Sequence, residues 1–132
     1  MPKVESIDHV ALTVRDIVRS VAWYQRVLGL ERLHEEVWGD VPAIVGIGNT
    51  ALALFPIQEA DPKPPSGHDT VAIVHVAFRA TRTHFDAAKA ELESLGIEFE
   101  FKDHQISHSI YFFDPDGHEL EITTYEVQPD DL

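Results

Sequence analysis

Residues 7–30, IDHVALTVRDIVRSVAWYQRVLGL, carry the pattern that organises the whole chain. The first six residues read as a short β-run with a histidine at its third position. A helical period follows. Asp16 can cap its start, Ile17, Val21, Tyr24 and Leu28 fall on one helical face, and Gly29 ends it. The same order returns at residues 73–78, IVHVAF, again with histidine third. Thr83, with Asp86 three residues on, predicts the cap of a second helix whose apolar face is Phe85, Ala88, Leu92 and Leu95, stopped by Gly96. LGL at 28–30 matches LGI at 95–97, so the offset is 66 at the strand and 67 at the helix end.

Strand-like runs follow each helix, at about 31–38, 42–48 and 50–57 in the first half and 97–103, 107–114 and 118–126 in the second. Asp114-Pro115-Asp116-Gly117 supplies the turn between the last two. The proline-rich segment EADPKPPSGHD reads as a solvated connection, and the tail VQPDDL as frayed. The expected organisation is one domain, residues 1–132, of two βαβββ modules at about 5–57 and 71–126, joined by a linker at 58–70. The fold class is α+β, with helices on the outer face of curved mixed sheets that enclose a cleft; short strand connections favour hairpins over crossovers.

Bulk properties narrow the function. A formal charge of −13 is wrong for a nucleic-acid binder, which needs a basic surface. With no cysteine, neither a disulfide framework nor a thiolate metal site is available. No apolar run approaches the ~20 residues of a bilayer span, and the N-terminus has no signal-peptide core, so the expected location is the cytoplasm.

Eight histidines are many for this length, and strand alternation singles out two of them. Val10, Leu12 and Val14 share the face suited to packing under the helix; His9 takes the other with Ala11 and Thr13. In the repeat, Val74, Val76 and Phe78 face the helix and His75 lies opposite. On the last strand Leu120 and Ile122 point inward and Glu121 points away, in a position where β-propensity disfavours glutamate. Two histidines and one carboxylate on the faces away from the helices form a set that holds a divalent metal and leaves coordination positions open. Iron(II), manganese, zinc and nickel all suit it.

The segments IDHVALTVRDIVRSVAWYQRVLGL, VHVAFRA and SIYFFDPDGHELEIT together resemble the vicinal oxygen chelate superfamily, also called the glyoxalase/bleomycin resistance/dioxygenase family. The resemblance implies paired βαβββ modules around a metal site in a glyoxalase/dioxygenase-like fold, with His9, His75 and Glu121 as the ligands. It implies a small-molecule substrate, aromatic or with vicinal oxygens, and a homodimer. Glyoxalase I enzymes in this family use a fourth ligand on the last strand of the first module, where this chain has Ala53. Extradiol dioxygenases place a tyrosine ten residues before the carboxylate ligand, as Tyr111 stands before Glu121, and use an acid–base histidine on the approach to it. Of the histidines in KDHQISHSIYF (102–112), His104 is the candidate, because alternation turns His108 away from Tyr111. The expected activity is therefore a metal-dependent, extradiol-type dioxygenase or a related lyase or isomerase. The alternatives are a fosfomycin-type resistance transferase, which also uses a His, His, Glu set but has a polar residue where this chain has Ala11, and a metal-free drug-binding protein. His34, His68 and His84 carry no signal, His118 belongs to the turn, and Glu119 reads as solvated.

Overall fold

A computed structural model of the chain describes residues 2–65 and 67–127; of the tail read as frayed, residues 128–132 lie outside them. The chain divides into two compact units, Met1–Pro62 and Lys63–Leu132. The first unit runs β1 (Val10–Val14), α1 (Ile17–Leu28), β2 (Glu31–Leu33), a short α2 (Glu35–Trp38), β3 (Ala43–Ile47) and β4 (Thr50–Pro56). The second runs β5 (Val76–Arg79), α3 (Arg82–Ser94), β6 (Glu100–Asp103), β7 (His108–Phe113) and β8 (Glu119–Thr124). Each unit holds one four-stranded mixed sheet, ordered β1-β4-β3-β2 in the first and β5-β8-β7-β6 in the second. The first strand of each pairs parallel with the last, and the remaining pairs are antiparallel. This is the α+β arrangement expected from the repeat.

In the first unit, Asp16 caps α1 by accepting a hydrogen bond from the Arg19 N–H, and Gly29 closes the helix at φ 66°. Ser20, Val21 and Tyr24 form its buried stripe, which packs on the sheet beside Val45, Leu52 and Leu54. In the second unit, Phe85 and Leu92 of α3 are buried together with Ile110, Phe112, Leu120 and Ile122. The β7–β8 register sets Ile110 against Ile122 and Phe112 against Leu120, so these four share the core face. The odd-numbered residues between them are left for the opposite face. Among the described residues, no helix is long and apolar enough to cross a membrane.

Three local expectations are corrected. The second strand stops at Leu33, and residues 35–38 form a short exposed helix where a strand was expected. Leu33 pairs with Ile44, and two residues before Ile44 stands Pro42, which has no N–H to extend the ladder. Arg32 then gathers the segment, with Nη2 donating to the Gly39 carbonyl at 2.6 Å and to Asp40 Oδ1 at 2.7 Å. Glu35, Glu36, Val37 and Trp38 consequently face solvent. The cap of α3 is Thr81, which accepts from the His84 N–H, and not Thr83, which lies inside the first turn. Finally, His9 and His75 each sit one residue before their strand begins and not within it.

Candidate metal centre

The Asp114–Gly117 turn aims the site. Asp114 Oδ1 accepts from the backbone N–H groups of Asp116 and His118, each at 2.9 Å, which locks the β7–β8 hairpin. The register that follows places Tyr111 opposite Glu121 and Ser109 opposite Thr123 on the face away from α3. On the other side of β8, Ala77 pairs with Glu121 and Val76 with Leu120, so His75 enters the sheet beside Glu119 and Glu121.

Glu121 is a buried carboxylate held from two sides. Ser109 Oγ donates to its Oε2 at 2.6 Å, and His75 Nε2 lies 3.0 Å from its Oε1. No lysine or arginine pairs with it among the described residues, and burying an uncompensated carboxylate is costly. The spacing fits a cation. At 3.0 Å, Nε2 and Oε1 are at hydrogen-bond distance, close enough for both to reach one cation. Imidazole and carboxylate are together a divalent-metal donor set.

Tyr111 and His104 meet beside this pair. His104 Nε2 and the Tyr111 hydroxyl lie 3.0 Å apart, and the Tyr111 ring stands edge-on to His75 at 5.8 Å between centroids. Burial, and then the negative charge of Glu121, raise the Tyr111 phenol above its ordinary pKa, while its Ser109 contact works the other way. A phenol so placed stays protonated at neutral pH and acts as a donor. His9, in the first unit, is half exposed, with Nδ1 2.9 Å from Asp8 Oδ2.

Three residues near His75 were not expected here. Ser109 orients Glu121. Glu119, expected to be solvated, has one-fifth of its side chain exposed, and its Oε1 lies 3.3 Å from His75 Nδ1. His68, in the connecting segment, reaches the same oxygen at 3.4 Å. His68, His75 and Glu119 each offer a donor atom within 4.8 Å of the others. That cluster opens to water through His68, whose side chain is 65% exposed, against 10% for Glu121; the shielded, hydrogen-bonded carboxylate is the better-built end. The signal for Ser109 and Glu119 was alternation, since they share faces with Tyr111 and Glu121. Nothing local marks His68. His108 packs elsewhere: it is buried, with Arg82 Nη2 donating to Nδ1 at 2.9 Å and its ring against Phe101.

The sequence profile of the glyoxalase/bleomycin resistance protein/dioxygenase superfamily matches residues 6–122. The chain is 30% identical to metallothiol transferase FosB of Lysinibacillus sphaericus over 95% of its own length and 86% of that protein's. It is 30% identical to glutathione transferase FosA of Serratia marcescens over 89% and 79% respectively. Among solved structures, a glyoxalase/dioxygenase from Nostoc punctiforme aligns with a TM-score of 0.75 at 26% identity, over 92% of this chain and 98% of that one. Both sequence relatives are named as transferases, so the expectation of an extradiol dioxygenase, lyase or isomerase finds no support in them, and the transferase alternative does. The match across both repeats and the His75–Glu121 pair lead to one statement: the chain belongs to the glyoxalase/bleomycin resistance protein/dioxygenase superfamily and is a metalloenzyme of that family.

Proposed function

We propose that the chain is a metal-dependent transferase of the fosfomycin-resistance type, joining a low-molecular-weight thiol to a small, oxygen-bearing substrate. The observation that carries this reading is the shielded His75–Glu121 pair, with donor atoms 3.0 Å apart. Similarity to proteins named metallothiol transferase and glutathione transferase supports the reaction class.

His9, His75 and Glu121 would hold the divalent ion, which when bound acts as a Lewis acid toward a substrate oxygen. The chain's own groups do the rest. Thiol transfer forms a carbon–sulfur bond, breaks a carbon–oxygen bond, and moves a proton from the thiol to the released oxygen. Tyr111, kept protonated by burial and by Glu121, gives its proton to that oxygen. His104, 3.0 Å from the hydroxyl, takes up the proton that the thiol releases and returns it to Tyr111. Ser109 keeps Glu121 Oε2 occupied by donating to it, so Glu121 would meet the ion through its other oxygen. The type places a polar residue where this chain has Ala11, so orientation of the substrate falls to Tyr111 and His104. The active species is a homodimer.

The test combines metal content with product mass. The purified protein is loaded with Mn2+, and fosfomycin is offered with glutathione or with L-cysteine. Stoichiometric manganese is expected in the parent and lost in His9→Ala, His75→Ala and Glu121→Ala. A covalent thiol adduct is expected by mass spectrometry. A parent that takes up no manganese, iron, nickel or zinc overturns the metal centre; a loaded parent that forms no adduct overturns the transferase.

A further inference from the structure

His75 stands between two carboxylates. Its Nε2 is 3.0 Å from Glu121 Oε1, and its Nδ1 is 3.3 Å from Glu119 Oε1. A neutral imidazole carries one proton and coordinates through the nitrogen that lacks it. With the proton on Nε2, His75 and Glu121 bond to each other and close the site. With the proton on Nδ1, the Nε2 lone pair and Glu121 Oε1 both face a cation. The group that Nδ1 meets therefore decides whether the pair is competent.

We infer that Glu119 is a positioning residue that holds His75 as the Nδ1–H tautomer and so leaves Nε2 to the metal. This rests on the metal centre proposed above. Three observations support it. First, Nδ1 is shielded from solvent and has no well-directed hydrogen bond, and Glu119 Oε1, at 3.3 Å, is the carboxylate oxygen beside it among the described residues. Second, Glu119 and Glu121 are spaced by two on β8, so one strand presents a carboxylate to each nitrogen of the ring. Third, His9 shows the same polarity by a different route, with its Nδ1 2.9 Å from Asp8 Oδ2. The parallel pairing Val10↔Leu52 puts Ala51 and Ala53 where the second unit has Glu119 and Glu121, so the first sheet offers His9 no strand carboxylate. In both candidate ligands a carboxylate oxygen stands beside Nδ1, at 3.3 Å for His75 and 2.9 Å for His9, on the side from which metal-bound histidines are oriented in general.

The experiment compares the parent with Glu119→Leu and Glu119→Gln, the latter keeping an acceptor oxygen. Long-range 1H–15N spectra of the metal-free protein read the His75 tautomer, and calorimetry with Mn2+ alone reads affinity. The parent and Glu119→Gln are expected to show the Nδ1–H form. Glu119→Leu is expected to move toward the Nε2–H form and to bind Mn2+ about 10–100-fold more weakly, the usual loss when a group behind a ligand is removed. An unchanged tautomer and affinity in Glu119→Leu, with Mn2+ bound by the parent, overturn the assignment and leave the metal centre standing. A parent that binds no Mn2+ overturns the metal centre and the role of Glu119 with it.

Discussion

The two units carry one pattern of strand pairing and opposite chemistry on it. In the first sheet a single cross-strand row reads Ala11, Ala53, Ile44, Leu33. The matching row of the second sheet reads Ala77, Glu121, Tyr111, Glu100. The small alanine on the first strand is common to both. Beyond it, one row is apolar, with Ala53 1% exposed, and the other holds a carboxylate and a phenol within reach of His75. Duplication supplied two frames for a site, and the second is the one furnished with donors. The first frame keeps only its histidine, backed by Asp8.

That contrast can be broken most severely at Glu121. Glu121→Ala makes the second row resemble the first, and Mn2+ affinity should fall by more than the ~10–100-fold expected for a group merely behind a ligand; equilibrium dialysis measures it. The reverse exchange, Ala53→Glu, places a carboxylate in a row whose other members, Ala11, Ile44 and Leu33, have no side-chain polar group to receive it. It should destabilise the protein by about 3–5 kcal/mol in urea unfolding, as an uncompensated buried charge does. If Ala53→Glu is tolerated without loss, the first row is more adaptable than its packing implies.

Tyr111→Phe makes the second row more like Ile44 while sparing the ligands. Product formation should drop about 10²-fold, in the range of a lost acid–base group, with Mn2+ affinity unchanged. The smallest effect concerns pH. The folded-state pKa of Tyr111 is raised, so above the unfolded value of about 10 the native protein holds a proton that the unfolded chain has lost. Stability of the metal-free protein should therefore fall as pH rises through that window, and fall less steeply in Tyr111→Phe. Thermal melts of both proteins across alkaline buffers read the difference.

Local sequence rules carried the elements whose causes are local. Asp16 and Gly29 bound α1 because a cap and a left-handed stop act within a turn of the chain. The alternation in SIYFFDPDGHELEIT separated Ile110, Phe112, Leu120 and Ile122 from Tyr111 and Glu121 because period two is a property of any strand. The same alternation, read across the repeat, singled out His9, His75 and Glu121 as one donor set. Residues 35–38 misled because their fate depends on Pro42 and Arg32, not on their own propensity.

What tertiary structure alone decided are the contacts between residues far apart in the chain. Glu119 meets His75 across the β5–β8 pairing, and His68 reaches the same oxygen from the connecting segment, 51 residues from Glu119. Tyr111 finds His104 because Gln105, at φ 74°, reverses the chain between β6 and β7. The sequence by itself determined which side chains of β7 and β8 share a face, since residue type and strand period are local quantities. Only the folded chain decided which nitrogen of His75 faces which carboxylate, since that follows from the register between strands and not from either strand alone.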